Sequence, residues 1–495
     1  MRESICVELT QTLISRFKSE FLGRISGNIA SAILIVALAR LLNPDSYGLL
    51  FLTISILTVA KTFSKLGVAK SSARYISEYK EKNHGQINHI LRFSMIFNIG
   101  TAALTIIIFL IISPIIISLV NEPRIGGFLF IGAVYILFGT LTTYSRIVLQ
   151  GFEDISSSSL ILVIDRMTRL FFSVGLVLLG YGAIGGLLGY LAGVLLASSV
   201  GLLILYRDYY TKGGSEIAME SGLKRRIVEY SLPLTATDTA DRIDKEFDTI
   251  LIGFFLSPIF VSYYAISKQV IRFLGTPATA LGFVISPTFG AQKASGNLDS
   301  VRQMYYKSLI NSLLLYVPMA AGLVIVSKDF LKIVFGNDYA GATLVLQIMC
   351  GYTILQAITR ITSNGLDFLG RAKIRAWSKI ITAVLNVLLN ILLIPFFGVE
   401  GAAIATLLSY GAYTMSTLYI MHIDVGINIR NFISDLMKIV LITSILSIVI
   451  ITAVDQVAGI YTLIIGGISG LLTWLLLIIS FGYVDSEDLK GVYSL

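Results

Sequence analysis

The run AGIYTLIIGGISGLLTWLLLIIS, residues 458–480, crosses 23 positions without one charged side chain. As an α-helix at about 1.5 Å per residue it reaches roughly 35 Å, more than the ~30 Å hydrocarbon core of a bilayer. Apolar runs of about this length recur at 101–119, 171–205, 381–396 and 438–453. A chain that repeats this pattern from end to end is an all-α integral membrane protein, not a soluble globular one.

Composition agrees. Of 495 residues, 55% are hydrophobic and 14% charged, against about 25% charged in soluble domains, and the mean hydropathy is +0.82. Fourteen spans are expected, at 22–41, 47–66, 89–113, 126–148, 157–179, 183–206, 230–255, 260–286, 304–326, 341–363, 375–396, 399–421, 434–454 and 458–482. The first 20 residues are polar and carry no cleavage site after an apolar core, so they do not read as a signal peptide. Ile5, Leu9, Leu13, Phe17 and Phe21 recur every fourth residue. That spacing makes one apolar helix face, set either at the cytoplasmic interface or against the protein.

The formal net charge of +8 does not point to nucleic acid, because the basic residues are scattered through short connections and form no basic domain. Cys6 and Cys350 lie far apart, and His84, His89 and His422 sit in or beside loops. Neither set has disulfide-framework or metal-ligand spacing, so no cofactor is expected. The basic residues orient the chain. With the N-terminus inside, cytoplasmic connections carry Lys65, Lys70, Arg74, Lys80 and Lys82, then Arg207, Lys212, Lys224, Arg225 and Arg226, and later Lys293, Arg302, Arg371, Lys373 and Arg430. The outer connections hold Arg124, Lys328 and Lys332, with Arg40 at a span end. Retention of Lys and Arg on the inner side places both termini in the cytoplasm of a cell-membrane protein.

The chain also repeats itself. Leu42-Asn43-Pro44 after the first span matches Leu256-Ser257-Pro258 after the seventh, and Ser145-Arg146-Ile147 matches Thr359-Arg360-Ile361. Gly182-Ala183-Ile184-Gly185 likewise matches Gly398-Val399-Glu400-Gly401. The matches keep their order and a nearly constant offset. A six-span repeat is even, so both halves share one topology, as in parallel-repeat transporters. The expected organisation is a cytoplasmic amphipathic segment (1–21), an N-lobe (22–206), a basic linker (207–229), a C-lobe (230–421), and spans 13–14 with the C-terminus (422–495). A pathway would run between two six-helix lobes.

The seventh span is the anomaly. It holds Asp238, Asp241, Arg242, Asp244, Lys245, Glu246 and Asp248, and each intramembrane charge costs at least ~2.5 kcal/mol at a helix centre. Asp238/Arg242, Asp241/Lys245 and Arg242/Glu246 are spaced to pair along a helix. Two readings stand: a polar face lining a wet cavity, or a self-satisfied ladder with a structural role. Further basic residues within or at the edge of spans are Arg24, Lys61, Arg146, Arg166, Arg169, Lys268, Arg272 and Arg360. Arg146, Arg166 and Arg360 have the option of snorkelling to the interface. Arg24, Lys268 and Arg272 are the candidates for gripping phosphate, since guanidinium matches its oxygens with a fork and ammonium adds a point charge. The candidate substrate-lining set is therefore Arg24, Asp238, Asp241, Arg242, Lys245, Asp248, Lys268 and Arg272. Asn386 and Asn390, four apart, and Thr406 are read either as interhelical hydrogen-bonding groups or, with Asp241 or Asp238, as oxygen ligands for sodium.

The stretch Ala39-Arg40-Leu41-Leu42-Asn43-Pro44-Asp45-Ser46-Tyr47-Gly48-Leu49 resembles the signature after the first helix of polysaccharide flippases, within the multidrug/oligosaccharidyl-lipid/polysaccharide exporter superfamily. Asp248 with Ile250-Leu251-Ile252-Gly253-Phe254-Phe255-Leu256, Phe335-Gly336-Asn337-Asp338-Tyr339, and Leu385-Asn386 through Phe397-Gly398-Val399-Glu400-Gly401-Ala402-Ala403 extend the resemblance over roughly 20–480. It implies a fourteen-helix transporter that moves a polyprenyl-diphosphate-linked oligosaccharide to the outer leaflet by alternating access, with membrane lipids around it and Na+ or H+ as coupling ion. The lipid II flippase branch carries a sodium site that Asn386 and Thr406 resemble. Asn390 stands where that branch has a second acid. A multidrug extruder of the same superfamily is the first alternative, disfavoured because the first span has no carboxylate between Glu20 and Asp45. A membrane glycan polymerase or transferase is the second, disfavoured by short outer loops.

Overall fold

The computed structural model describes residues 23, 25–212, 218–277, 288–289, 292, 295, 297–426 and 428–483, with the backbone alone at 236, 237, 240 and 241. The expected amphipathic segment 1–21, Arg24, Lys293 and the C-terminal residues 484–495 lie outside these.

The described residues form helices throughout: α1 (Ile25–Leu41), α2 (Pro44–Lys65), α3 (Val68–Lys82), α4 (Gly85–Val120), α5 (Ile125–Gly151), α6 (Ile155–Leu176), α7 (Gly182–Ile204), α8 (Leu223–Phe255), α9 (Pro258–Leu274), α10 (Leu298–Val334), α11 (Thr343–Phe368), α12 (Ala372–Val425), α13 (Ile429–Val454) and α14 (Ile460–Ser480). All but α3 are membrane passes, and α12 supplies two, broken at Gly398. That makes the fourteen passes expected. The outward side chains of α4, among them Leu104, Ile107, Ile111 and Ile115, are exposed and apolar, as a lipid-facing surface requires.

Local chemistry sets the boundaries. Asn43 caps α2 by accepting from the Ser46 amide at 2.8 Å, with Pro44 in the first turn. Leu66 and Gly67 then take positive φ values of 38° and 64° and end it. The sequence treated the next segment as a loop. It is helix α3, with Val68, Ala69, Ser72, Tyr75, Ile76 and Tyr79 buried along one face. Fifteen residues with four basic side chains, Lys70, Arg74, Lys80 and Lys82, are too short and too polar to register as a span.

The repeat is visible in the backbone. Pro44 opens α2, and Pro258, its partner in the second half, opens α9. Gly182 (φ 53°, ψ −142°) and Gly398 (φ 61°, ψ −143°) turn the two matched hairpins with the same backbone angles. The second glycine of each motif lets the helices touch: a Cβ on Gly185 would stand 3.0 Å from the Leu176 carbonyl carbon, and one on Gly401 2.3 Å from the Leu393 oxygen. Gly459 (φ 68°, ψ −141°) turns α13 into α14 in the same way.

By internal contacts the chain divides into two compact units, Met1–Ser262 and Tyr263–Leu495. In the first, α8 runs antiparallel along α2. Small residues bring the two together: a Cβ on Gly67 would lie 2.6 Å from the Ser231 oxygen and one on Gly253 2.5 Å from Leu52, while one on Gly48 would lie 1.7 Å from the oxygen of Pro258, the first residue of α9. In the second, α10 is central. Trp474 of α14 donates to the Leu314 carbonyl at 2.9 Å, and Tyr306 donates to Asp435 of α13 at 2.6 Å.

Candidate functional site

The first unit gathers cations in its interior. On α6, spacing of four puts Asp165 and Arg169 on one face. Arg169 Nη2 donates to both carboxylate oxygens at 2.7 and 2.8 Å, and both side chains are about nine-tenths buried. Gly193 of α7 makes room, since a Cβ there would lie 2.9 Å from Asp165 Oδ1. The Arg169 guanidinium lies over the Tyr190 ring at 4.4 Å, and its Nε has no hydrogen-bond partner among the described residues. Arg166, one residue after Asp165, donates to Ser31 Oγ of α1 at 3.1 Å.

Lys61 of α2 donates to Tyr135 Oη at 3.3 Å, and its ammonium sits 4.8 Å from the centre of that ring. Its stem rests on Gly139 of α5, where a Cβ would meet the Lys61 chain at 2.8 Å. Arg166, Arg169, Asp165 and Arg242 of α8 are all within electrostatic reach of Lys61, and Lys65 lies one turn further along α2. Lys61, Arg166 and Arg169 thus gather around Asp165, while Lys65 has Asp238 within electrostatic reach. Arg169 is the one Asp165 neutralises. Among the described residues Lys61, Lys65 and Arg166, each partly buried, form no ion pair, and an unpaired charge away from water is expensive. Guanidinium and ammonium together suit phosphate oxygens.

The expected pairing along the seventh span is partly replaced. Asp238 is held at 2.7 Å by Lys70 of α3, and among the described residues no Asp238–Arg242 pair forms. The reason is that α3 packs against the start of α8 and brings a cation closer than the helix's own. Ser55 of α2 donates to Glu246 at 3.0 Å. Arg242 and Lys245 are exposed and Asp248 is buried. The Asp241 side chain and Arg24 lie outside the described groups. Lys268 and Arg272 belong to the second unit, Lys268 with its ammonium 5.7 Å from the Tyr264 ring centre and Arg272 exposed.

The second unit brings the amide candidates together. Asn390 Nδ2 donates to Asn386 O and Oδ1 at 2.9 and 3.2 Å, and Asn386 Nδ2 donates to Ser409 Oγ at 3.1 Å. Thr406 and Tyr264 share a hydroxyl–hydroxyl bond of 3.0 Å. Each of these groups is buried, and together they make a polar layer that joins both arms of α12 to α9. Among the described residues no group of three or more His, Cys, Asp or Glu is arranged to hold a metal ion.

Sequence reasoning named Lys61, Arg166 and Arg169 as intramembrane cations but left them out of the substrate-lining set, and it passed over Asp165. The usable signal was Asp165/Arg169 at a spacing of four inside an apolar run.

Residues 37–344 match the profile of a family described as "Polysaccharide biosynthesis protein". The chain is similar to the "Probable low-salt glycan biosynthesis flippase Agl15" of Haloferax volcanii, 31% identical over 34% of this chain and 36% of that protein. It thus spans about a third of that relative's length. It is also similar to the "Lipid II flippase MurJ" of Bacillus subtilis, 21% identical over 71% of this chain and 72% of that one. Among solved structures, an inward closed lipid II flippase superposes with a TM-score of 0.74, covering 94% of this chain and 98% of that one at 17% identity. At that identity the match establishes the fold.

Proposed function

The chain belongs to the polysaccharide biosynthesis protein family, and from that membership we propose that it is a flippase. Its cargo is a polyprenyl-diphosphate-linked oligosaccharide, carried from the cytoplasmic to the outer leaflet by alternating access for cell-surface glycan assembly. The observation that carries this reading is the cluster of Lys61, Lys65, Arg166 and Arg169, in which Arg169 pairs with Asp165 and the other three form no ion pair among the described residues. A diphosphate matches such a cluster, and a cationic drug is repelled by it. No bond is made or broken, so the protein acts as a carrier and not as an enzyme.

On this reading the oligosaccharide enters from the cytoplasm, the prenyl tail stays in lipid, and Lys61 and Arg166 hold the diphosphate while the helices of the two halves rearrange. Arg24, Asp238, Asp241, Arg242, Lys245, Asp248, Lys268 and Arg272 line the path. The protein sits in the cell membrane with both termini cytoplasmic, as its Lys and Arg distribution supports. A coupling cation, Na+ or H+, is part of this proposal, with Asp241, Asn386, Asn390 and Thr406 as its candidate residues.

Purified protein in liposomes tests the proposal. A labelled polyprenyl-diphosphate oligosaccharide moves between leaflets and a cationic dye does not. Lys61→Gln with Arg166→Gln slows that movement by about tenfold or more, the loss of one to two charge-assisted bonds. Ion-driven dye efflux without glycan movement overturns it. A sodium gradient that leaves the glycan rate unchanged removes sodium as the coupling ion.

A further inference from the structure

A second cationic site lies away from this interior cluster, where α3 crosses the end of α5. Lys70 and Arg74 are four apart on α3, and Ser77 follows one turn on. With Ala73 they form one wall of a cavity of about 250 Å³, and Ile147, Gln150 and Gly151 of α5 form the other. The close approach depends on Gly151, where a Cβ would stand 2.6 Å from Ala73 Cα. Ser77 Oγ donates to the Gly151 carbonyl at 2.7 Å and fixes the register.

The cavity's cations are held in different ways. The Arg74 guanidinium is stacked 4.1 Å from the Tyr230 ring centre and has no carboxylate within ion-pair distance among the described residues. Stacking uses the face of the guanidinium and leaves its in-plane N–H groups to donate. Lys70 is bound to Asp238, with both side chains 45% exposed. An exposed pair of that kind contributes little, about 0–1 kcal/mol, so a stronger anion can replace the carboxylate. The volume is below the roughly 300–1,000 Å³ of a typical small-molecule pocket, which fits a phosphate group and not a sugar chain. The surrounding frame is firm: Ser71 donates to the Ile227 carbonyl at 2.7 Å, and Arg226 pairs with Glu220 at 2.5 Å. Tyr79 also donates to Glu220, and with Arg226 it holds that carboxyl below its ordinary range.

We infer that this cleft binds the phosphate of a lipid headgroup, with Arg74 and Lys70 as its donors and Asp238 as the internal competitor for Lys70. Two sources carry that chemistry, a lipid diphosphate and an anionic phospholipid. Binding at the cleft does not depend on the transport reading, because it is measured on the protein without flipping.

The test follows acetylation of Lys70 by an aqueous reagent, read by peptide mass spectrometry on the full chain in uncharged detergent. Lys212, 69% exposed, is the internal reference. Farnesyl diphosphate and dioleoylphosphatidylglycerol are added separately. At least one of them slows acetylation of Lys70 by about fivefold at a concentration four times its dissociation constant, and Lys212 is unaffected. Asp238→Asn shifts half-protection to lower concentration, an outcome a misfolded variant would not give. Arg74→Gln removes the protection. Protection by farnesyl diphosphate alone identifies a lipid diphosphate, and protection by the phospholipid alone a resident lipid. Equal rates at Lys70 with and without both probes, or full protection retained in Arg74→Gln, overturn the inference.

Discussion

Asp165 shows how one carboxylate organises a cationic interior. It binds Arg169 through both oxygens, sits against Gly193, and has Lys61 and Arg166 within electrostatic reach. Removing it strands a buried guanidinium. Asp165→Asn is therefore expected to destabilise the protein by about 3–5 kcal/mol, seen as a lowered unfolding midpoint in detergent. Lys61→Gln, which relieves like-charge repulsion, should leave the midpoint unchanged or raise it while slowing glycan movement. If both variants lose stability equally, the cations serve packing and the site reading fails. These roles were only half legible in the sequence. Lys61, Arg166 and Arg169 stood out as charges in apolar runs. That Asp165 neutralises one of them, and that Tyr135 and Tyr190 lie under the cations, depends on which faces of α2, α5, α6 and α7 meet. No pattern within a single helix contains that information.

At the scale of elements, glycine turns three hairpins with one backbone geometry. Positive φ with ψ near −140° is essentially closed to residues with a Cβ, and Gly182, Gly398 and Gly459 all adopt it. Gly398→Ala should cost about 1–3 kcal/mol, and Gly182→Ala a similar amount, each read as a lowered unfolding midpoint. A smaller effect at both would mean the hairpins can be turned another way. The match of Gly182-Ala183-Ile184-Gly185 with Gly398-Val399-Glu400-Gly401 was readable as a repeat because the backbone demands glycine at the corner and at the contact three residues on. Helix α3 was not readable as a helix. Its face of Val68, Ser72, Ile76 and Tyr79, spaced four, four and three, mixes polar with apolar residues, and its burial comes from α5 and α8, elements distant in sequence.

Across the whole molecule, apolar length marked the passes apart from the charged seventh, which the repeat supplied. The partners of that pass were not legible. Lys70, written off as a loop residue, takes Asp238 from the cation expected on the same helix. With a chain that has only Cys6 and Cys350 to replace, single cysteines at 238 and 245 can be placed and probed. Both should react with membrane-impermeant thiol reagents if α8 borders a water-filled path, and cargo should slow the reaction. Complete protection from both sides of the membrane would mean that the charges of α8 are sealed within protein.

The glycine corners also bear on how such a chain is made. Gly182 and Gly398 join their helices with almost no polar connection, and at Gly459 the connection adds Asp455 and Gln456. The second arm therefore has no long hydrophilic tether to be drawn across ahead of it. Each hairpin should leave the ribosome and partition into the bilayer as one folded pair, so that the unit of biogenesis is two helices long and the glycine is in place before any lobe exists.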